Sequence, residues 1–266
     1  EAFIEDHEGG ITLAALALAF ALVSLCEVFF PRRPMTRDVG WRWLNNLGLS
    51  VITISVTSWM QVLLALVAAW WVTQLNVGLL NMLQLSWVWA LIVTVVVLEL
   101  TVYLFHRLMH RVPWLWQLHA VHHSDTGFDL TLAYRNHPLA AVFLITMRMP
   151  VIVLLGAPVS VIAVYEAIRI FQDLFSHSNV RIPASIERWL RYLVVTPDFH
   201  RLHHSSDRQF TDSNYSSTFP WFDYLFGTAT NKAYAEHESL EVGLEYCRSP
   251  RDTRLDKLLL MPFRKF

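Results

Sequence analysis

The chain has 266 residues, 54% of them hydrophobic and only 16% charged, with a mean hydropathy of +0.36 and a formal net charge of −1. That apolar share exceeds what a soluble domain usually carries, and the near-neutral balance offers no basic face for nucleic acid. Two isolated cysteines, Cys26 and Cys247, make no disulfide framework.

Residues 1–10 are acidic and polar, and His7 among them reads as solvated. Residues 11–30, ITLAALALAFALVSLCEVFF, are long enough to cross a bilayer. An acidic front, no basic n-region and no small-residue cleavage site argue against a cleavable signal. Arg32, Arg33, Arg37 and Arg42 follow. A second span is expected at 46–71, an uncharged connection at 72–85 and a third span at 86–105, which runs directly into His106, Arg107, His110 and Arg111. Positive charge after the first and third spans puts both ends on the cytoplasmic side. Glu99 lies inside the third span, on the face of His106, where a carboxylate is costly and usually has a task. It either accepts a ring N–H from a metal-bound histidine or makes a polar contact between helices.

The stretch from His106 to His123, HRLMHRVPWLWQLHAVHH, holds five histidines. His106 and His110 share one helical face, as do His119, His122 and His123, and Pro113 marks a turn between the two sets. HRLHH at His200 to His204 repeats the second pattern. Between them, 139–175 reads as a hairpin broken at Gly156, Ala157 and Pro158, with Arg148, Glu166, Arg169 and Asp173 facing protein or a polar cavity. The hairpin returns His137 and His177 to one side. Residues 178–199 read as an amphipathic helix on the membrane surface. The aromatic run FPWFDYLFGT reads as packing, and His237, in the charged 232–266 segment, as solvated.

Imidazoles packed this densely repel one another once protonated, so a buried group of them needs a reason to exist. Metal coordination supplies it. Eight rings are too many for one tetrahedral ion and suit two ions with about four or five nitrogens each. Ligand type alone leaves Fe, Zn, Cu and Ni open.

HRLMH, HAVHH and TPDFHRLHH together resemble the fatty acid hydroxylase and sterol desaturase superfamily of membrane, histidine-rich di-iron enzymes. Glu99, RNHP at 135–138, FSHSN at 175–179, and SNY followed by WFDYLFGT agree, over roughly residues 90–230. Ser216 stands where the family usually has Gly. The resemblance adds His137 and His177 to the ligands and implies ten: His106, His110, His119, His122, His123, His137, His177, His200, His203 and His204. It implies two iron ions, which zinc can replace on purification, and an O₂-dependent hydroxylation of a lipid. The alternatives are desaturation at the same site, or a non-catalytic protein stapled by zinc. Asp198 and Asn214, with Glu99, are the candidates for holding ligand rings from behind.

The expected architecture is all-α, one integral-membrane domain over 1–266. It has about four transmembrane layers: three spans within 11–105 and the hairpin at 139–175. A histidine-rich segment at 106–138 and a cytoplasmic cap and tail at 176–266 complete it, the tail being the charged 232–266 segment. The partners expected are a lipid substrate, the membrane (a bacterial inner membrane, with the histidines on the cytoplasmic side) and a separate electron donor such as a ferredoxin, a cytochrome b5-like protein or a reductase. No nucleic acid is expected.

Overall fold

The computed structural model describes residues 17–36, 38–75 and 78–264, without the side chains of 61–75. The expected ligands all fall within this range, and His7 lies outside it. The regular elements among the described residues are helical, and the only pairings of strand type are two isolated bridges, Pro31–Val180 and Ser205–Val242. In order they are α1 (Ala17–Phe29), α2 (Val39–Leu75), α3 (Leu79–Met82), α4 (Trp87–Arg111), α5 (Pro113–His123), α6 (Pro138–Leu155), α7 (Val159–Ser176), α8 (Ala184–Leu190), α9 (Pro197–His203), α10 (Arg208–Thr211), α11 (Trp221–Leu225) and α12 (Leu255–Leu260). Single 3₁₀ turns lie at Leu130–Tyr134, Tyr234–Glu238 and Met261–Phe263.

Helices α4 and α6 are long and apolar enough to cross a membrane, and only 17% of the apolar stretch of α6 is buried inside the protein. So much exposed hydrocarbon is costly in water and suits lipid. In α2 the pattern is inverted relative to a water-soluble helix. Its buried positions are Arg42, Asn45, Asn46, Leu49, Ser50, Thr53 and Thr57, which return to one face at every turn, while Trp41, Leu44, Leu47, Val51 and Ile54 point outward. This helix has 37 residues, about 55 Å at 1.5 Å per residue. It therefore overruns the 46–71 span at both ends, because nothing between Val39 and Leu75 breaks it.

α4 packs against α5, α6 and α7, and α6 packs in turn against α2. At one end the backbone N–H of Arg32 donates to the Asn179 carbonyl at 2.7 Å, tying the end of α1 to the segment after α7. The last turns of α4 and α7 and the first of α6 lie at this end too. At the other end α6 stops at Gly156, which takes φ 62°, and its backbone meets that of Gly78. A Cβ on Gly156 would fall 2.6 Å from the Gly78 Cα. Gly156→Ala is therefore expected to destabilise the protein by more than about 1 kcal/mol, from the left-handed backbone and the clash together. A thermal melt in detergent reads this directly.

Two expectations change. Residues 178–199 form no long amphipathic helix: the Pro31–Val180 bridge pulls the first residues into an extended path, and between Pro183 and the start of α9 at Pro197 only the seven residues of α8 are helical. The short helix still exposes Ile186 and Trp189, with Tyr192 and Leu193 just beyond. Residues 232–264 are also packed rather than loose. Leu244, Leu258 and Met261 join Leu49, Ala120 and Val121 in a core cluster beneath α5. In the aromatic run, Phe222 packs on Tyr103 at 6.0 Å between ring centroids. Trp221, Leu225 and Phe226 face outward, and Tyr224 among them stacks on Tyr192 at 5.0 Å, a grouping that suits a membrane–water interface.

Candidate metal centre

Nine histidine rings from four helices meet at the end of the bundle where α4 and α7 finish. α4 carries His106 and His110, and α5 carries His119, His122 and His123. His177 ends α7, while α9 carries His200 and His203 and is followed at once by His204. Local sequence sets both short helices. Extended Val112 turns the chain and Pro113 takes the first position of α5, where its fixed φ suits the helix. At α9, Thr196 caps the Phe199 N–H at 3.2 Å, Pro197 takes the first position and Asp198 puts negative charge in the first turn.

The rings form two adjoining groups: His106, His110, His119, His123 and His203, and His122, His177, His200 and His204. In each, one ring nitrogen per residue lies within 4.8 Å of all the others. The groups meet where His123 stacks on His204, 4.4 Å between centroids.

Hydrogen bonds behind the rings decide their chemistry. The Nδ1–H groups of His106, His203 and His177 donate to the carbonyls of Tyr215 (2.6 Å), Ser213 (2.7 Å) and Asp173 (2.8 Å). That assignment leaves a lone pair on each Nε2. Yet the Nε2 atoms of His106 and His203 face each other at 3.0 Å. Two lone pairs at that separation repel unless a cation lies between them. The other tip-to-tip distances are alike: 2.9 Å from His106 to His119, 3.0 Å from His177 to His200 and 3.2 Å from His200 to His204. Nitrogens at right angles around one cation, each about 2.1 Å from it, lie about 3 Å apart.

Burial, aided by neighbouring imidazoles, holds His119, His122, His123, His200, His203 and His204 well below the usual histidine range, so these rings are neutral and ligand-ready. The Nε2 of His110 is buried without a hydrogen-bonding partner among the described residues, while its Nδ1 lies 3.4 Å from Asp212 Oδ1. Nine imidazole nitrogens in sets of five and four thus fit two metal ions.

A cavity of about 600 Å³ leads away from the rings. His106, His119, His122, His177 and His200 close one end, and its walls come from α2, α4, α6 and α7. The volume is that of a site for a whole small amphiphile.

The sequence family described as fatty acid hydroxylase matches residues 91–228, more than half of the chain. The chain belongs to the fatty acid hydroxylase family. The curated proteins it resembles act on several lipids. The ornithine lipid hydroxylase of Rhizobium tropici is 33% identical over 51% of this chain and 40% of its own length. The alkylglycerol monooxygenase of Xenopus tropicalis is 30% identical over 53% of this chain and 30% of its own. A very-long-chain aldehyde decarbonylase of Oryza sativa is 36% identical over 51% of this chain and 49% of its own. The matched stretch therefore spans half or less of each relative. No solved structure matches.

His137, expected as a tenth ligand, stands apart from the nine. Its Nδ1 accepts the Leu139 N–H at 3.2 Å and its Nε2–H donates to the Leu259 carbonyl at 3.2 Å. The cause is Pro138, which keeps the preceding residue extended, so the ring caps α6 instead of reaching the centre. Glu99 is a contact between elements: it accepts the Tyr165 hydroxyl (3.0 Å), the Thr218 N–H (2.9 Å) and the Thr218 hydroxyl (3.0 Å). Asp198 pairs with Arg201 and with Arg32 and so anchors the back of α9. Asn214 supports two ligands indirectly. Its side chain bonds the Thr230 N–H at 2.7 Å and the Phe199 carbonyl at 2.8 Å. It takes φ 52° between the two residues whose carbonyls hold His203 and His106. His237 is buried rather than solvated, and burial pushes its imidazole down to about 4. The residues that sequence reasoning missed are Asp212 and the carbonyls of Asp173, Ser213 and Tyr215. A carbonyl leaves no side-chain signal, although the SNY motif brackets two of these three.

Proposed function

We propose that the protein is a membrane monooxygenase that hydroxylates a C–H bond of a lipid at a di-iron centre, with O₂ and electrons from a separate donor protein. The observation that carries this reading is the pair of buried, neutral imidazole groups closing one end of an amphiphile-sized cavity. His106, His110, His119, His123 and His203 would hold one iron, and His122, His177, His200 and His204 the other. Iron so bound supplies O₂ activation: with two external electrons and two protons, one oxygen atom enters the C–H bond and the other leaves as water.

The chain's own contribution is placement and dryness. The carbonyls of Asp173, Ser213 and Tyr215 fix ring tautomers and directions before any metal arrives. Val102, Met109, Leu144 and Ile145 give the cavity an apolar side along which a hydrocarbon chain can lie. The helix ends that carry the histidines lie with the Arg107–Arg111 end of α4, so we place them on the cytoplasmic side of a bacterial inner membrane.

The test is lipid mass spectrometry of cells with and without the protein, together with metal analysis of anaerobically purified protein. One lipid class gaining a single oxygen, with two irons per chain, is the expected result. Loss of two hydrogens would instead make it a desaturase. Two zincs, no O₂ uptake with reductant and no altered lipid would refute the enzyme reading.

A further inference from the structure

The cavity has a charged wall that the metal centre does not use. On α7, Glu166, Arg169 and Asp173 recur every three or four residues and face the cavity together with Ile162 and Ile170. Across from them Arg148 stands on the cavity face of α6, among Leu144, Ile145 and Ile152. Arg148 pairs with Glu166, whose second oxygen receives the Arg169 Nε–H at 3.0 Å. Arg169 Nη1 reaches Asp173 at 2.7 Å. The result is a ladder of plus, minus, plus, minus. By helical rise it runs from about 16 Å to about 6 Å from His177.

A wall for a plain acyl chain or a sterol ring has no use for such a ladder, because hydrocarbon against ionised groups leaves them without partners. Nor is the ladder satisfied by itself. The side chains of Glu166, Arg169 and Asp173 are each 26 to 29% exposed. The Arg148 Nε–H is buried with no acceptor among the described residues. Two guanidinium groups also carry more N–H donors than two carboxylates can use. The wall as a whole is neutral, so a ligand with one net charge would add an uncompensated charge to a low-dielectric site, whereas a zwitterion would not.

We propose that this wall is the binding site for the polar end of the lipid, and that the polar end is zwitterionic, pairing an ammonium with a carboxylate or phosphate. The anionic oxygens sit on Arg148 and Arg169, and the ammonium on Asp173 and Glu166. The lipid then lies with its head-proximal carbons toward the histidines. This rests on the cavity being the substrate site of the proposed oxygenase.

Binding tests it without turnover. Zinc-loaded full-length protein in detergent is titrated with five probes: Nα-palmitoyl-lysine, palmitoyl lysophosphatidylethanolamine, N-palmitoylglycine, hexadecylamine and hexadecanol. At least one of the two zwitterions is expected to bind about tenfold or more tighter than each of the other three, the worth of one or two charge-assisted hydrogen bonds. Which zwitterion wins identifies the anion. Arg148→Met is expected to erase the preference. Arg148→Lys keeps a cation for Glu166 and so the fold, and is expected to weaken the preference by losing the fork of donors. Equal binding of hexadecanol and both zwitterions to the unmodified protein would overturn the proposal, as would a full preference retained by the folded Lys variant together with the Met variant. Selective binding with no oxidation by iron-loaded protein would leave this site standing and remove the proposed reaction. Oxidation without selectivity would do the reverse.

Discussion

His122→Ala is expected to abolish lipid oxidation and to empty one of the two metal positions while leaving the other filled. His122 belongs to the four-membered group, where three nitrogens would remain. Even residues that only support a ligand typically cost 10–100-fold in metal affinity or activity, so loss of a ligand should cost more than about a hundredfold. The fold should survive, because the His122 Nδ1 has no hydrogen-bonding partner among the described residues that its removal would strand. His137→Ala is the matched control. It removes an N-cap contact and a bond to the Leu259 carbonyl, so it should lower stability by about 1 kcal/mol. Metal content should be unchanged and activity within a few-fold of normal. Metal analysis and lipid mass spectrometry on the two variants separate nine ligands from ten: equal metal loss in both would restore His137 to the centre.

The histidine blocks were legible because a helix turns spacing into a shared face. How the rings sort into two groups was not. In both HxxHH blocks the first and last histidines, one turn apart, join the same group, and the middle one crosses to the other: His119 and His123 against His122, His200 and His204 against His203. That sorting depends on how α5 and α9 are rotated against each other, which tertiary packing decides. His177 could be placed because the Gly156–Pro158 break implied a return to the same side. His137 was misplaced because the same return puts it at the right end of the bundle, while the local effect of Pro138 turns its ring toward α6. The buried face of α2 was hidden for another reason. In a lipid-facing helix polar residues point inward, so Arg42 reads as part of a charged flank in the sequence and proves, with Asn45 and Asn46, to be interior.

Asp125→Ala should be the most destabilising single change outside the metal centre, costing about 3–5 kcal/mol and releasing metal as a consequence. Asp125 is fully buried just after α5. It accepts the Arg42 Nε–H at 2.5 Å and Nη2–H at 3.1 Å, and the Asn46 amide at 2.8 Å. Arg135 lies 4.0 Å away, donates to the Val121 carbonyl (3.0 Å), the Asn46 side chain (2.7 Å) and the Ser124 hydroxyl (2.7 Å), and so clamps the end of α5 that carries His122 and His123. Removing the carboxylate takes from the buried Arg135 its nearest anion and leaves Arg42 with Asp129 alone, 2.9 Å away, and breaking a buried pair from one side is what makes the loss this large. Arg42→Met added to Asp125→Leu should recover part of it, since a buried pair replaced by apolar groups of similar size is often close to neutral. The same carboxylate sets an acid limit. Burial raises its pKa, but Arg42 and Arg135 outweigh burial and hold it down to about 2. An unfolded Asp titrates near 3.9, so the stability it contributes is complete above about pH 4 and is lost as pH falls toward 2. Melting curves across that window should show a decline that is shallower in the Asp125→Leu, Arg42→Met double variant. An unchanged slope there would assign the acid sensitivity to other carboxylates, and a wild-type melting temperature for Asp125→Ala would remove this clamp from the account of how α5 is held.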